Sequence, residues 1–329
     1  MSSQHWCLIL SGKSDDDAAV HEAVEAVRAR GVRIDLRLTE REGDAARHVA
    51  DAIAQGAGTI IAAGGDGTLN AVAMALAQRA ESADELPALA VLPLGTANDF
   101  AVASGLPEEP LPALELVATQ PARAVDLLRV EADGQERWVA NLASAGFGTQ
   151  ATVDTPEGMK KLLGGLAYVI TGLAKLGRVE STRARLHGPG FEWQGEFIAL
   201  GIGNGRQAGG GQALCPDALL DDGLLDVTLI PGLDGELAAT LGTVVSQGRE
   251  AALERVAMRA QLPWVEVEAG QPLSFNLDGE PLEARRLRLD CVPGRLRMHL
   301  PADCALLGAP AQALRRDPQT GSSATDPRL

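Results

Sequence analysis

The run Gly64-Gly65-Asp66-Gly67-Thr68-Leu69-Asn70 carries the densest chemistry in the chain, and it follows the apolar stretch Thr59-Ile60-Ile61-Ala62-Ala63. That order predicts a buried strand, a glycine turn and a helix from Leu69 to about Gln78. Such a turn gathers backbone N–H groups and a helix N-terminus at one spot, which favours phosphate. Glycines leave the backbone open to close approach. Asp66 would repel a phosphate unless a metal ion lies between them or it takes a proton from an attacking hydroxyl. Both roles belong to phosphoryl transfer. No Lys-Ser or Lys-Thr pair closes the segment as in a P-loop, and no G-x-G-x-x-G opens the helix as in the dinucleotide fingerprint. The plain alternative is a strand-to-helix turn capped by its aspartate.

A second polar turn, Pro93-Leu94-Gly95-Thr96-Ala97-Asn98-Asp99, follows the apolar strand Ala88 to Leu92. Open α/β sheets bind ligands outside the carboxyl ends of their strands, so Thr96 and Asn98 can line one crevice with the first turn. Either residue singly reads equally well as a helix cap. Far along the chain, Phe275-Asn276-Leu277-Asp278-Gly279-Glu280-Pro281 reads as a strand entering an Asp-Gly turn. A hairpin needs only Asp-Gly; Asn276 and Glu280 add a carboxylate and an amide beyond that need.

Together GGDGTLN, PLGTANDFA and NLDGEP, in this order, resemble the diacylglycerol-kinase-type catalytic domain of bacterial lipid kinases, most closely the YegS-like lipid kinases. Leu10 to Ser14, Glu42 to Arg47, Gly146 to Thr149, Gly201 to Gly211 and Leu214 to Leu225 add to the likeness, which spans about Ile9 to Leu307. Ser11 stands where the pattern more often has Asn, and the tail after Leu307 has no counterpart. The resemblance implies two domains with ATP in the cleft between them. It places nucleotide contacts on Thr39, on Gly65, Asp66, Gly67, Thr68, Leu69, Asn70 and Ala71, and on Thr96, with Gly64 opening the turn. It places the proton acceptor on Glu280. It also implies a magnesium site on Leu219, Asp222 and Leu224, where carbonyl donors suit a hard cation, Mg²⁺ or Ca²⁺ in its place. An Asp-Asp-Gly turn without metal is the alternative there.

The elements needed to position these residues follow from periodicity. Up to about residue 121, apolar strands (Trp6–Leu10, Arg33–Leu38, Thr59–Ala63, Ala88–Leu92) alternate with helices (Asp15–Arg30, Asp44–Ala54, Leu69–Gln78, Leu111–Ala118). This predicts a Rossmann-like parallel sheet over residues 1–121. Residues 122–308 are mostly extended: Arg123–Val130, Arg137–Ala143, Thr182–His187, Phe191–Gly203, Leu225–Ile230, Trp264–Glu268, Leu273–Leu277, Leu287–Cys291 and Leu296–Leu300. Their alternation predicts a C-terminal β-sandwich whose end returns to the first domain. Helical insertions are expected near Glu157–Leu176 and Asp234–Met258, and residues 309–329 read as a disordered tail.

Composition sets limits. The chain has 329 residues, 46% hydrophobic, enough for two cores. A net charge of −15 argues against nucleic acid, whose phosphates need Lys and Arg. Cys7, Cys215, Cys291 and Cys304 show no C-x-x-C spacing and are expected reduced. The N-terminus lacks a signal-peptide pattern and no apolar run reaches the ~20 residues of a membrane span, so the expectation is a cytoplasmic protein meeting the membrane surface transiently. The stretch Met159 to Arg178, apolar with basic ends, is the candidate contact; a helix packed on the sandwich is the other reading.

The expected reaction is transfer of the γ-phosphate of ATP to a lipid hydroxyl, with phosphatidylglycerol foremost, Mg²⁺ neutralising phosphate charge and Glu280 as base, Asp66 as rival base or metal organiser. Phospholipid and ATP are the expected partners, and a homodimer is left open. The competing readings are an NAD kinase, which shares the GGDGT turn, a sphingoid-base kinase and a catalytically silent nucleotide-binding regulator.

Overall fold

The computed structural model describes residues 4–12, 17–146, 182–232 and 257–308. The first part alternates β1 (His5–Ser11), α1 (Ala18–Arg28), β2 (Arg33–Thr39), α2 (Asp44–Ala54), β3 (Thr59–Gly64), α3 (Asp66–Ala77), β4 (Ala88–Pro93), α4 (Asp99–Ser104) and α5 (Pro110–Thr119). The strands pair in parallel in the order β2-β1-β3-β4. Alternate side chains of these strands serve two cores, as the two-residue strand period demands. Trp6, Leu8, Leu10, Ile61 and Leu92 pack with Val20, Val24 and Val27 of α1 and Leu114 of α5. Cys7, Ile9, Ile60, Leu89 and Val91 pack with Val49 of α2 and Val72 and Leu76 of α3. Helices on both faces leave β1, β3 and β4 buried along most or all of their length, while the edge strand β2 keeps Arg33, Asp35 and Arg37. Burying one Leu or Ile of this kind contributes roughly 1.5–3 kcal/mol.

The chain passes from β1 to β2 on one side and returns to β3 on the other. The carboxyl ends of β1 and β3 therefore flank the switch point where open sheets hold ligands. Both the Gly64-Gly65 turn and Ser11 lie at that edge.

The second part is antiparallel: β5 (Ala122–Ala132), β6 (Gln135–Val139), β7 (Leu142–Gly146), β8 (Thr182–Gly188), β9 (Phe191–Gly203), the short pair β10 (Gln207–Ala208) and β11 (Gln212–Ala213), β12 (Leu225–Pro231), β13 (Met258–Leu262), β14 (Trp264–Leu277) and β15 (Glu280–His299). Its core unites Leu128, Val130, Phe197, Leu200, Val227, Phe275, Leu287 and Leu289. β15 joins the two parts: it pairs with β14 and β5, and Met298 near its end sits beside Leu89 of β4 in parallel.

Three expectations are corrected. The run Arg137–Ala143 is two strands, because the carboxylate of Asp278 takes the backbone N–H groups of Ala140, Asn141 and Leu142 that a continuous ladder would use. The pairs Trp264–Glu268 with Leu273–Leu277, and Leu287–Cys291 with Leu296–Leu300, each fuse into one long strand through an irregularity in register. Helix α3 begins at Asp66 rather than Leu69, since an acidic residue suits a helix's first turn. The insertion near Glu157–Leu176, the segment Met159 to Arg178, most of Asp234–Met258 and the tail lie outside the described residues; Met258 itself opens β13. Among the described residues no helix is long and apolar enough to cross a membrane.

Candidate active site

Helix α1 carries its own cap, with the Asp17 carboxylate accepting the N–H groups of Ala19 and Val20. Helix α3 does not: its N-cap is Gly65 and no side chain caps it. The N–H groups of Thr68 and Leu69 turn back to the Gly65 carbonyl, which leaves those of Asp66 and Gly67, with the positive end of the helix dipole, to be offered to an anion. Gly67 faces open space, with no atom within 4 Å of where a Cβ would stand. Thr68 leans back over the strand end, so that a Cβ on Gly64 would come 2.2 Å from its Oγ1.

The turn after β4 presses against this one. A Cβ on Gly95 would lie 2.5 Å from the Gly65 Cα and 2.7 Å from Asn98 Oδ1, distances no real side chain tolerates. Asn98 adopts a left-handed backbone, and its amide closes its own turn: Oδ1 accepts the Gly95 N–H at 2.9 Å and Nδ2 donates to the Gly95 carbonyl at 2.8 Å. Thr96 stands exposed on the rim of the same turn. At the end of β2, Thr39 pairs in register with Ser11 and its hydroxyl donates to the Leu10 carbonyl. Gly64, Gly65, Asp66, Pro93 and Asn98 line a shallow dent between the two glycine turns that has no room for a water molecule. Asn70, behind the turn, is 5% exposed, and its Oδ1 has no partner among the described residues.

The carboxylates of the three segments have separate duties. Asp66 accepts the N–H groups of Asp99 and Phe100 at 3.0 and 3.1 Å and so caps α4 from the neighbouring turn. Asp99, 4% exposed, accepts the N–H groups of Gly210 and Gly211, and its carbonyl accepts from Gln207 Nε2. Gly209, Gly210 and Gly211 all have φ between 67° and 89°, a conformation glycine adopts without strain, and it turns successive N–H groups toward one carboxylate. The glycine-rich stretch is thus clamped to the nucleotide half.

In the third segment the Asp278 carboxylate holds three backbone N–H groups at 2.7–3.1 Å. Burial pushes its pKa up to about 6 against the opposite pull of those N–H groups, and the charge of Asp66 adds to the rise. Asn276 Oδ1 accepts the Gly279 N–H at 2.7 Å and closes the turn. Glu280 is left as the carboxylate that projects: its side chain is 60% exposed, with Arg137 of β6 at 4.0 Å. The charge of Asp66 acts on Asp278, so the Asp278-Gly279 turn that leads into Glu280 stands within electrostatic reach of the first turn of α3.

The Leu219–Leu224 loop lies elsewhere, over Asp126 within β5. Asp222 Oδ1 accepts the Leu224 N–H at 2.9 Å. Burial, then Asp221, push its carboxyl up. Buried Asp126 accepts the N–H groups of Gly223 and Gly294, and its carboxyl is also raised, first by burial. No trio of His, Cys, Asp or Glu among the described residues is arranged to hold a metal. Asp126 and Asp221 already hold backbone N–H groups, so what the loop has to offer a hard cation is the Asp222 carboxylate and backbone carbonyls.

An uncapped helix N-terminus at the switch point of a parallel sheet, beside a carboxylate-bearing β-sandwich turn, is the frame of a kinase-type phosphotransferase acting on an alcohol group, and the relatives agree. Residues 7–130 match the diacylglycerol kinase catalytic domain, and residues 141–300 match the YegS C-terminal NAD kinase beta sandwich-like domain. A protein of Xanthomonas oryzae pv. oryzae named "Probable lipid kinase YegS-like" is 61% identical over 308 residues, 94% of this chain and 100% of its own. One of the same name from Pseudomonas aeruginosa is 49% identical over 310 residues, 94% of this chain and 99% of its own. The crystal structure of a diacylglycerol kinase from Bacillus anthracis str. Sterne superposes with a TM-score of 0.69 at 20% identity, covering 92% of this chain and 98% of that one, a likeness of fold. The chain belongs to the YegS-like lipid kinase family.

Sequence reading gave Asp99 no partner and Arg295 and Gln207 no role. A carboxylate directly before the apolar Phe100-Ala101 run was the available signal for Asp99; nothing linear pairs it with glycines more than a hundred residues away.

Proposed function

We propose that the protein transfers the γ-phosphate of ATP to a hydroxyl of a phospholipid, with phosphatidylglycerol as the preferred acceptor. The observation that carries this reading is the uncapped N-terminus of α3, with the turn that bears exposed Glu280 within electrostatic reach of its Asp66. The phosphates lie against the Gly64 to Leu69 turn at the N–H groups of Asp66 and Gly67, with Thr39, Ala71, Thr96 and Asn98 around them and Asn70 behind the turn. Glu280 accepts the proton of the lipid hydroxyl as its oxygen attacks the γ-phosphorus; the bond to the β-bridging oxygen breaks and ADP leaves. Asp66, engaged with two N–H groups of α4, serves this scheme by fixing the turns rather than as the base. Mg²⁺ would be held by the carbonyls of Leu219 and Leu224 and the Asp222 carboxylate, where it supplies positive charge that orders an acidic loop.

The test is label transfer from γ-labelled ATP to phosphatidylglycerol, diacylglycerol, sphingosine and NAD, by the protein and by Glu280→Gln. Transfer to phosphatidylglycerol that falls roughly 10²–10⁴-fold in Glu280→Gln, with ATP binding kept, supports the reading. Transfer to NAD alone replaces it with an NAD kinase.

A further inference from the structure

Helix α3 has no basic residue in its last turn. Its carbonyl end is instead gripped by Arg295, from β15 in the other part of the chain. The guanidinium donates through Nε and Nη2 to the Ala77 carbonyl (3.2 and 2.8 Å), through Nη1 to the Glu81 carbonyl (3.0 Å), and to the Arg79 carbonyl. It lies 5.7 Å from the ring centre of Trp138, on the strand β6 against which α3 packs. Arg297, two residues on, holds the next stretch through the carbonyls of Ala83 and Leu86.

Arg295 reaches α3 because β15 bulges. Val292 pairs with Leu127 and Leu296 with Val125, so Pro293, Gly294 and Arg295 stand opposite Asp126 alone. Bulges re-aim side chains out of a ladder. This one is fixed chemically: Gly294, at φ 57°, donates its N–H to buried Asp126 at 2.7 Å, and the other oxygen of that carboxylate holds Gly223.

The same strand begins at Glu280. One end of β15 therefore carries the proposed proton acceptor, and the other grips the far end of the helix whose first turn receives the phosphate. We propose that Arg295 is a positioning residue for phosphoryl transfer, setting the placement of α3 and its phosphate turn relative to Glu280. The proposal rests on the lipid-kinase reading for its chemistry and on the Arg295–α3 geometry for its mechanics. A shift of about 1 Å in such a placement costs on the order of 10²-fold in rate.

The experiment compares Arg295→Gln, Arg295→Lys and, as a control on the neighbouring grip, Arg297→Gln. Each is measured for thermal stability, ATP affinity, kcat with phosphatidylglycerol, and deuterium uptake in the first turn of α3. The expected result is a kcat loss of at least about tenfold in Arg295→Gln, with ATP affinity within about threefold, partial recovery in Arg295→Lys, and faster exchange at Gly67 to Leu69. Arg297→Gln, at a matched loss of stability, keeps its kcat. Equal kcat losses in the two Gln variants, or a kcat within about twofold of the parent in Arg295→Gln, overturn the proposal. If the parent labels no lipid, the reaction reading fails separately, and exchange decides the mechanics: first-turn uptake in Arg295→Gln no faster than in Arg297→Gln overturns them.

Discussion

The carboxylate of Asp66 accepts the backbone N–H of Asp99 at 3.0 Å and caps a helix to which it does not belong. Two consequences follow. The negative charge of Asp66 is turned toward α4, which leaves the N-terminus of its own helix free to receive an anion. The Asp99 backbone is held in place, so that its carboxylate can reach the N–H groups of Gly210 and Gly211. A relay of two aspartates thus ties both polar turns to the glycine-rich loop of the sandwich half.

The close approach of the two turns makes Gly95 and Gly67 behave oppositely. In Gly95→Ala the new methyl meets Gly65 and Asn98, and stability falls by about 1–3 kcal/mol together with ATP affinity. Gly67→Ala meets nothing outside its own helix within 4 Å and gains helix propensity, roughly 0.5–1 kcal/mol, yet its methyl stands where the proposed function brings the phosphates. Melting curves and calorimetric titration with ATP should show weakened binding in both and lowered stability in Gly95→Ala alone. A Gly67→Ala protein that binds ATP normally would place the phosphates elsewhere.

The clamp on the glycine loop requires both oxygens of Asp99. Asp99→Asn keeps one acceptor and turns an NH₂ group toward the second N–H, at a cost of about 1–3 kcal/mol. Exchange should quicken at Gly209 to Gly211 and label transfer should drop. Unchanged protection of that loop would show that the clamp contributes nothing.

The Asp278 carboxyl, pushed up to about 6 by burial, binds its proton more tightly folded than unfolded. Such a group contributes stability that is full below its unfolded pKa of about 4 and lost as pH rises through the folded value. Asp278→Asn does not titrate. The stability of the parent relative to this variant should therefore be greatest near pH 4 and decline toward pH 7, as urea denaturation across that range would report. Parallel profiles would contradict the assignment.

A cation on the Leu219–Leu224 loop should stabilise the fold by mass action. Mg²⁺ is expected to raise the melting temperature of the parent and EDTA to lower it, with both shifts abolished in Asp222→Asn. Shifts of equal size in parent and variant would move the cation off this loop.

The sequence by itself determined the architecture and the location of the glycine turn between β3 and α3. Alternating apolar strands and amphipathic helices up to residue 121 specify their periods locally, and a glycine run between a buried strand and a helix marks where backbone N–H groups gather. Glu280 was marked by its motif. What the tertiary structure decided are the partners. Asn98 and Asn276 prove to close their own turns, and Asp278 to break a strand by taking three N–H groups from residues 140–142. Asp99 finds its partners at residues 210–211, and Arg295 finds a helix end more than two hundred residues back. A carboxylate or guanidinium advertises its hydrogen-bonding capacity in linear sequence, but which backbone groups satisfy it depends on long-range packing, and no local period encodes that.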